Sequence, residues 1–206
     1  MTFGLVKHNN NSISAITSSG QLAQGKMTLL QTQTASSSAS ISFTSNIDST
    51  YPIYLFKFIN IHPATDGAEF TINFSTDSGS NYNVAKTTTF FVAYNAESES
   101  SSGLTYIDSL DIAQGTGVAN IFYNVGNEND ESASGTLHLF NPSSTTFVKH
   151  FICRSQVYVA PSSGTDFSQD MNTAGYINTT TALTRVRFKF SSGNIDSGTI
   201  KLYGVT

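Results

Sequence analysis

Hydrophobic and polar residues alternate with a period of two along much of this chain, the periodicity of a strand with one buried face. In residues 38–44, Ala39, Ile41 and Phe43 point one way and Ser40, Ser42 and Thr44 the other. Residues 68–75 (AEFTINFS) and 87–95 (TTTFFVAYN) repeat the pattern, and residues 27–31 read as a first short strand. The stretch 52–61, PIYLFKFINI, is almost continuously apolar and interrupted only by Lys57. It predicts a central strand, covered on both faces or covered on one side by a neighbouring subunit. Further short strands follow as LTYIDSL, VANIFYNV, GTLHLFNP, TTFVKHFICR, QVYVA, AGYINTT, RVRFKF and GTIKLYGV.

Gly, Ser, Asn and Asp join these segments, and no stretch sustains a period of 3.6 over ten residues. The best helix candidate is LTYIDSLDIAQG, where Leu104, Ile107 and Leu110 are spaced by three. About a dozen short strands with regular turn signals predict an all-β fold, a single-domain antiparallel β-sandwich of jelly-roll type, over residues 26–206. Residues 1–25 are polar and turn-rich, with apolar touches at Phe3, Leu5, Val6, Ile13 and Ile16. They read as an N-terminal arm whose apolar residues make oligomer contacts.

The chain closes on residues 186–206, which read as a finished hairpin. Val186, Phe188 and Phe190 share one face of its first strand. Ile200 and Leu202 face the core from the second, with Thr199, Lys201 and Tyr203 facing out. Gly204 allows a bulge or a close approach near the end. The segment SGTLHLF at 134–140 echoes SGTIKLY at 197–203, two uses of one turn-and-strand solution.

Composition agrees with the pattern. Aromatic residues make up 12% of the chain, with no Trp, and Ser and Thr together roughly a quarter. The net charge of -4 and the scarcity of clustered Lys and Arg argue against nucleic acid; Arg185, Arg187 and Lys189 alternate as a solvated sheet face. One cysteine, Cys153, permits no internal disulfide, and no apolar run approaches membrane-spanning length. The first residues hold no apolar core of a signal peptide, so synthesis in a reducing cytosol is expected.

Candidate chemistry is sparse. The sequence contains neither a GxSxG elbow nor HExxH, and His150 and Cys153, three apart on a strand, point to opposite faces. Glu128, Asp130 and Glu131 in GNENDES are the strongest acidic cluster and offer oxygens to calcium, though not at the spacing of an EF-hand loop. The plain alternative is a solvated loop tip. Tyr82, Tyr94, Tyr106, Tyr123 and Tyr158 are candidates for stacking on sugar rings, against the alternative that they bridge core and water at strand ends. No enzyme activity and no cofactor are expected.

The stretches VKHNNNSIS, FKFINIHPATDGAEF, LFNPSSTTFVKHF and SSGNIDSGTIKLYGVT resemble a group of virion structural proteins encoded by tailed phages of marine bacteria. The resemblance runs from about residue 5 to the end, with FNPSSTTFVKHF and the ending its most specific parts. It implies a phage particle as the setting, made in the bacterial cytoplasm, with a capsid-decoration or fibre role. The partners then expected are further copies of the chain, as a trimer, together with capsid or tail proteins. A receptor- or glycan-binding adhesin at a fibre tip is the alternative. Neither nucleic acid nor membrane insertion is expected.

Overall fold

The computed structural model describes residues 27–160 and 164–206. The arm expected over residues 1–25, with Phe3, Leu5, Val6, Ile13 and Ile16, lies outside the described residues. In chain order the strands are β1 (Met27–Ser38), β2 (Ile41–Phe43), β3 (Ile53–Pro63), β4 (Ala68–Ser75), β5 (Lys86–Ala96), β6 (Ser102–Tyr106), β7 (Ala119–Val125), β8 (Ala133–Phe140), β9 (Lys149–Val159), β10 (Phe167–Ile177), β11 (Arg185–Phe190) and β12 (Ile195–Val205).

They form two antiparallel sheets, one of eight strands in the order β1-β12-β3-β8-β9-β10-β5-β6 and one of four in the order β2-β11-β4-β7. Paired strands pass together from the large sheet to the small one. The β1·β12 ribbon continues as β2·β11, β3·β12 as β4·β11, and β3·β8 as β4·β7. This nested winding is that of a jelly roll.

The alternation expected from the sequence drives the packing. Phe56 and Phe58 of β3, Phe70 of β4, Phe122 of β7 and Phe188 of β11 meet between the sheets, all buried. Phe188 lies 5.2 Å from Phe56 and 5.2 Å from Phe58, edge to face in both cases. Such contacts add to the burial of a large apolar area by about 1 kcal/mol per pair. PIYLFKFINI is the expected central strand: β3 lies between β12 and β8. Asn60, at φ 49°, shifts its register there, so that Phe58 and Ile61 both turn inward.

One expectation is corrected, and one alternative is set aside. Residues 186–206 are not a hairpin, because β11 pairs with β2 and β4 in the small sheet while β12 pairs with β1 and β3 in the large one. The intervening residues carry the chain across the sandwich, and two successive strands insert separately into the core. LTYIDSL holds the strand expected there and not the helix considered for LTYIDSLDIAQG: Ser102–Tyr106 is a strand against β5, followed by one 3-10 turn, Asp108–Leu110. The spacing of three arises because Leu104 points outward on β6 while Ile107 and Leu110 pack against the core beyond it.

Two glycines serve the last strand. A Cβ at Gly204 would lie 2.3 Å from the ring of Tyr51, so the close approach expected there is present. Gly198, at φ 122°, occupies the register shift of β12 against β3, where a Cβ would lie 2.6 Å from the carbonyl oxygen of Asn60. The echoing segments SGTLHLF and SGTIKLY lie on β8 and β12, the two strands flanking β3.

The outer faces of the sheets differ. On the small sheet, Thr71, Asn73 and Ser75 of β4 point away from the core, yet all are buried. Asn73 Nδ2 donates to the carbonyls of Tyr82 (2.6 Å) and Thr116 (3.3 Å), which tie loops over this face. The large sheet has no such cover among the described residues over much of its outer surface.

Candidate functional site

The acidic loop 126–132 does not bring its carboxylates together. Glu131 turns inward and is buried, accepting hydrogen bonds from the backbone N–H of Glu128 (2.8 Å) and of Ala160 (2.6 Å). Both its oxygens are occupied in joining the start of the β7–β8 loop to the end of β9. Glu128 and Asp130 stay exposed at the loop tip. Among the described residues, no group of three or more His, Cys, Asp or Glu side chains is placed to hold a metal ion.

The five tyrosines are scattered. Tyr82 lies under the guanidinium of Arg187, 4.0 Å from ring centroid to Cζ. Tyr94 packs against Phe167, and Tyr123 against Phe90. Tyr158 donates to Asp166 (2.9 Å), and that hydrogen bond is the main cause that pushes its phenol up to about 12. Only Tyr106 is widely open to solvent, 55% exposed, with its hydroxyl donating to the Asp111 carboxylate. Cys153 is fully buried, and burial pushes its thiol well above the ordinary range; His150 faces outward on the opposite side of β9.

Two buried lysines escaped the sequence reading. Lys86 opens β5 and Lys149 opens β9, each in phase with inward residues. They sit in one rung on either side of Ile177 of β10. Lys86 Nζ donates to the carbonyls of Val84 (3.0 Å) and Gly117 (2.5 Å), and Lys149 Nζ to those of Thr179 (2.9 Å) and Thr181 (2.7 Å). Burial lowers both pKa values, that of Lys86 to about 8. Each ammonium gathers loop carbonyls at this end of the sandwich. Alternation held the signal, since Lys149 shares its phase with Phe151 and Cys153.

The chief surface feature is the outer face of the eight-stranded sheet. Eight large hydrophobic side chains are notably exposed among the described residues, and seven belong to this face: Met27, Leu29, Ile59, Phe91, Leu104, Tyr106 and Ile152. The eighth, Phe147, is in the β8–β9 loop. Leu104 is 71% exposed and Ile152 52%.

Register orders this face into rows, because residues paired across a ladder share a side. One row runs Leu29, Tyr203, Leu55, His138, Ile152, Ala174, Thr89 across seven strands. The row beside it, toward the end of β12, runs Met27, Val205, Ile53, Phe140, His150, Tyr176, Thr87. Both are largely apolar or aromatic. A third row carries Lys201, Lys57 and Arg154, and Arg154 makes a two-pronged hydrogen-bonded pair with Asp170. Where Ala174 leaves room between Ile152, His150, Tyr176 and Thr87, the apolar rows hold a shallow depression of about 500 Å³.

Met27, Leu29 and Ile152 lie in the two apolar rows, while Phe91 and Tyr106 end the charged row and Leu104 lies in the row of Asp170. The face thus mixes a low-charge apolar zone with charged, hydrogen-bonded rows that also carry exposed apolar side chains, a make-up suited to an interface. Sequence reasoning placed oligomer contacts in the arm, which lies outside the described residues, and allowed a neighbouring subunit over one side of PIYLFKFINI, whose Ile53, Leu55 and Ile59 lie on this face. It did not extend that cover to the other strands. The available signal was Ile152, an apolar residue in the outward phase of an otherwise polar-outward strand. Comparison of the chain with known protein families, with curated proteins and with solved structures finds no match in any of the three.

Proposed function

We propose that this chain is a non-enzymatic structural building block of a tailed-phage particle, displayed on the virion as a capsid decoration or fibre component and assembling as a symmetric oligomer. The single observation that carries the reading is the apolar outer face of the large sheet. A monomer surface of ordinary composition scatters its exposed apolar residues, whereas this chain gathers seven on one face. Burial of that face against other particle proteins supplies adhesion that salt does not screen. The resemblance of FNPSSTTFVKHF and of the ending to virion proteins of marine phages supports the same setting.

The test is to look for the chain in purified particles of the phage that encodes it, by mass spectrometry and antibody labelling. Stoichiometric copies at fixed positions are expected. Recovery only from infected-cell lysate, with none on particles, overturns the proposal. Ile152→Glu, on an exposed position, is expected to keep the fold and lower incorporation into particles.

One observation favours a second reading, glycan binding. The exposed ring of Tyr106 lies on the ladder opposite Phe91, with the Asp111 carboxylate beside its hydroxyl. An aromatic surface next to a hydrogen-bond acceptor suits a sugar ring. Tyr106→Ala then abolishes binding of the purified protein to host cells while leaving incorporation into particles intact.

A further inference from the structure

The two sheets have four edge strands, and three of them are blunted against pairing with other chains. β2 has three residues. β6 has five, next to the acidic turn that holds Glu97 and Glu99. β7 is interrupted by two register shifts against β4. Short length and broken register are the devices that keep sheet edges from adding strands. β1 is different. It has twelve residues, MTLLQTQTASSS, without a charge or a proline. Its one register shift, at Leu30, leaves Gln31–Ser36 regular, and no strand lies on its outer side among the described residues.

We propose that β1 pairs antiparallel with β1 of a second copy across a two-fold axis, joining the large sheets of two molecules edge to edge. The inference rests on the assembly reading above and gives it a symmetry. An antiparallel strand repeated about a two-fold axis is self-complementary, so each copy offers the amides and carbonyls that the other lacks.

The side chains favour a second copy over an unrelated strand. Gln31 Oε1 is buried and without a hydrogen-bond partner, and Gln33 spends one amide hydrogen on the carbonyl of Ser42. An axis through Thr32 sets Gln31 opposite Gln33 of the second copy. The remaining amide hydrogen of that Gln33 then reaches the orphaned oxygen, twice per dimer. Thr32 and Thr34 point to the outer face and are exposed, so the ladder meets no charge. The pairing yields even-numbered assemblies in place of the trimer expected from the sequence.

The experiment uses the full chain and native mass spectrometry with light scattering. Wild type is expected as a dimer or a multiple of it. Thr32→Lys and Thr32→Asp each set like charges against each other at the axis. Both are expected to raise the dissociation constant at least about ten-fold without altering the far-ultraviolet circular dichroism spectrum. Mixing the two variants restores association as a mixed pair, which a merely misfolded variant would not do. A trimer, or an oligomer indifferent to both substitutions, overturns the edge pairing and leaves the assembly reading standing. A wild type that stays monomeric at high concentration overturns both. An oligomer lost on removal of residues 1–26 but kept in Thr32→Lys assigns the contact to the arm and overturns the proposal.

Discussion

Lys86 gives the sharpest test of how this sandwich is held at one end. It is fully buried, and its ammonium is held by two backbone carbonyls. Burial lowers its pKa from the ordinary 10.5 to about 8. In the unfolded chain the lysine keeps its proton to the higher value. Between pH 8 and 10.5 the unfolded state therefore binds more protons than the folded one, and stability rises with pH across that window. Below pH 8 both states are protonated, and the folded state carries the whole cost of the buried charge. The difference corresponds to a gain of about 2.5 kcal/mol between pH 7 and pH 10; solvent screening leaves about 1 to 2 kcal/mol. Lys149, whose pKa burial also lowers, adds a change of the same sign. Above pH 10 this gain is opposed, and by about pH 10.5 it is complete. Tyr54, with a phenol pKa that burial raises above its ordinary 10.0, donates its proton to the carbonyl oxygen of Asp48, and stability that depends on a raised phenol pKa is lost as pH climbs. The assay is urea unfolding at pH 7.5, 9 and 10, for wild type and Lys86→Met. Wild type is expected to gain about 1 to 2 kcal/mol by pH 10. Lys86→Met is expected to be weaker by about 1 to 3 kcal/mol at pH 7.5, because two carbonyls lose a donor, and to lose most of the pH-dependent gain. A wild-type stability that falls between pH 8 and 10, or an equal gain in both proteins, refutes the assignment.

Other substitutions probe other parts of the fold. Phe188→Ala removes the ring that meets Phe43, Phe56, Phe58 and Phe70, and is expected to cost about 3 to 5 kcal/mol in urea unfolding. Gly204→Ala drives a methyl group into the ring of Tyr51 and is expected to cost about 1 to 3 kcal/mol, read as a lowered melting temperature. Glu131→Gln leaves the N–H of Glu128 or of Ala160 facing an amide, at a cost of about 1 to 3 kcal/mol. That loss is expected to be equal in calcium and in chelator; a calcium-dependent loss would restore the acidic loop as a metal site.

The fold class was legible because period-two alternation is a direct imprint of the pleat. Lys149–Val159 shows it most clearly: Phe151, Cys153, Ser155 and Val157 are buried, while His150, Ile152, Arg154 and Gln156 face out. The partner of each strand was not legible. β11 and β12 follow one another with a short connection, the usual arrangement of a hairpin, yet they belong to different sheets. Their own residues are equally apt for either pairing; the choice lies with β1, β2, β3 and β4, distant in sequence. The spacing of Leu104, Ile107 and Leu110 misled for a related reason, since an outward residue of a strand followed by two inward residues of the turn beyond it reproduces helical spacing without sharing a face.

Alternation tells which residues share a side of a sheet, but not what lies over that side. Thr71, Asn73 and Ser75 read as solvent-facing and are buried because the loops at Tyr82 and Thr116 cross above them. Ile152, Leu104 and Leu29 have an apolar character suited to cover, and among the described residues they lack it. The chain thus places polar side chains under its own loops on one sheet and apolar ones in the open on the other. Loops that donate and accept hydrogen bonds can close over a polar face within one molecule, because each buried polar group then finds a partner. An apolar face needs no such matching, only area, and another protein surface can supply that. The distribution is therefore the one that a subunit requires if its small sheet is finished during folding and its large sheet is finished on assembly.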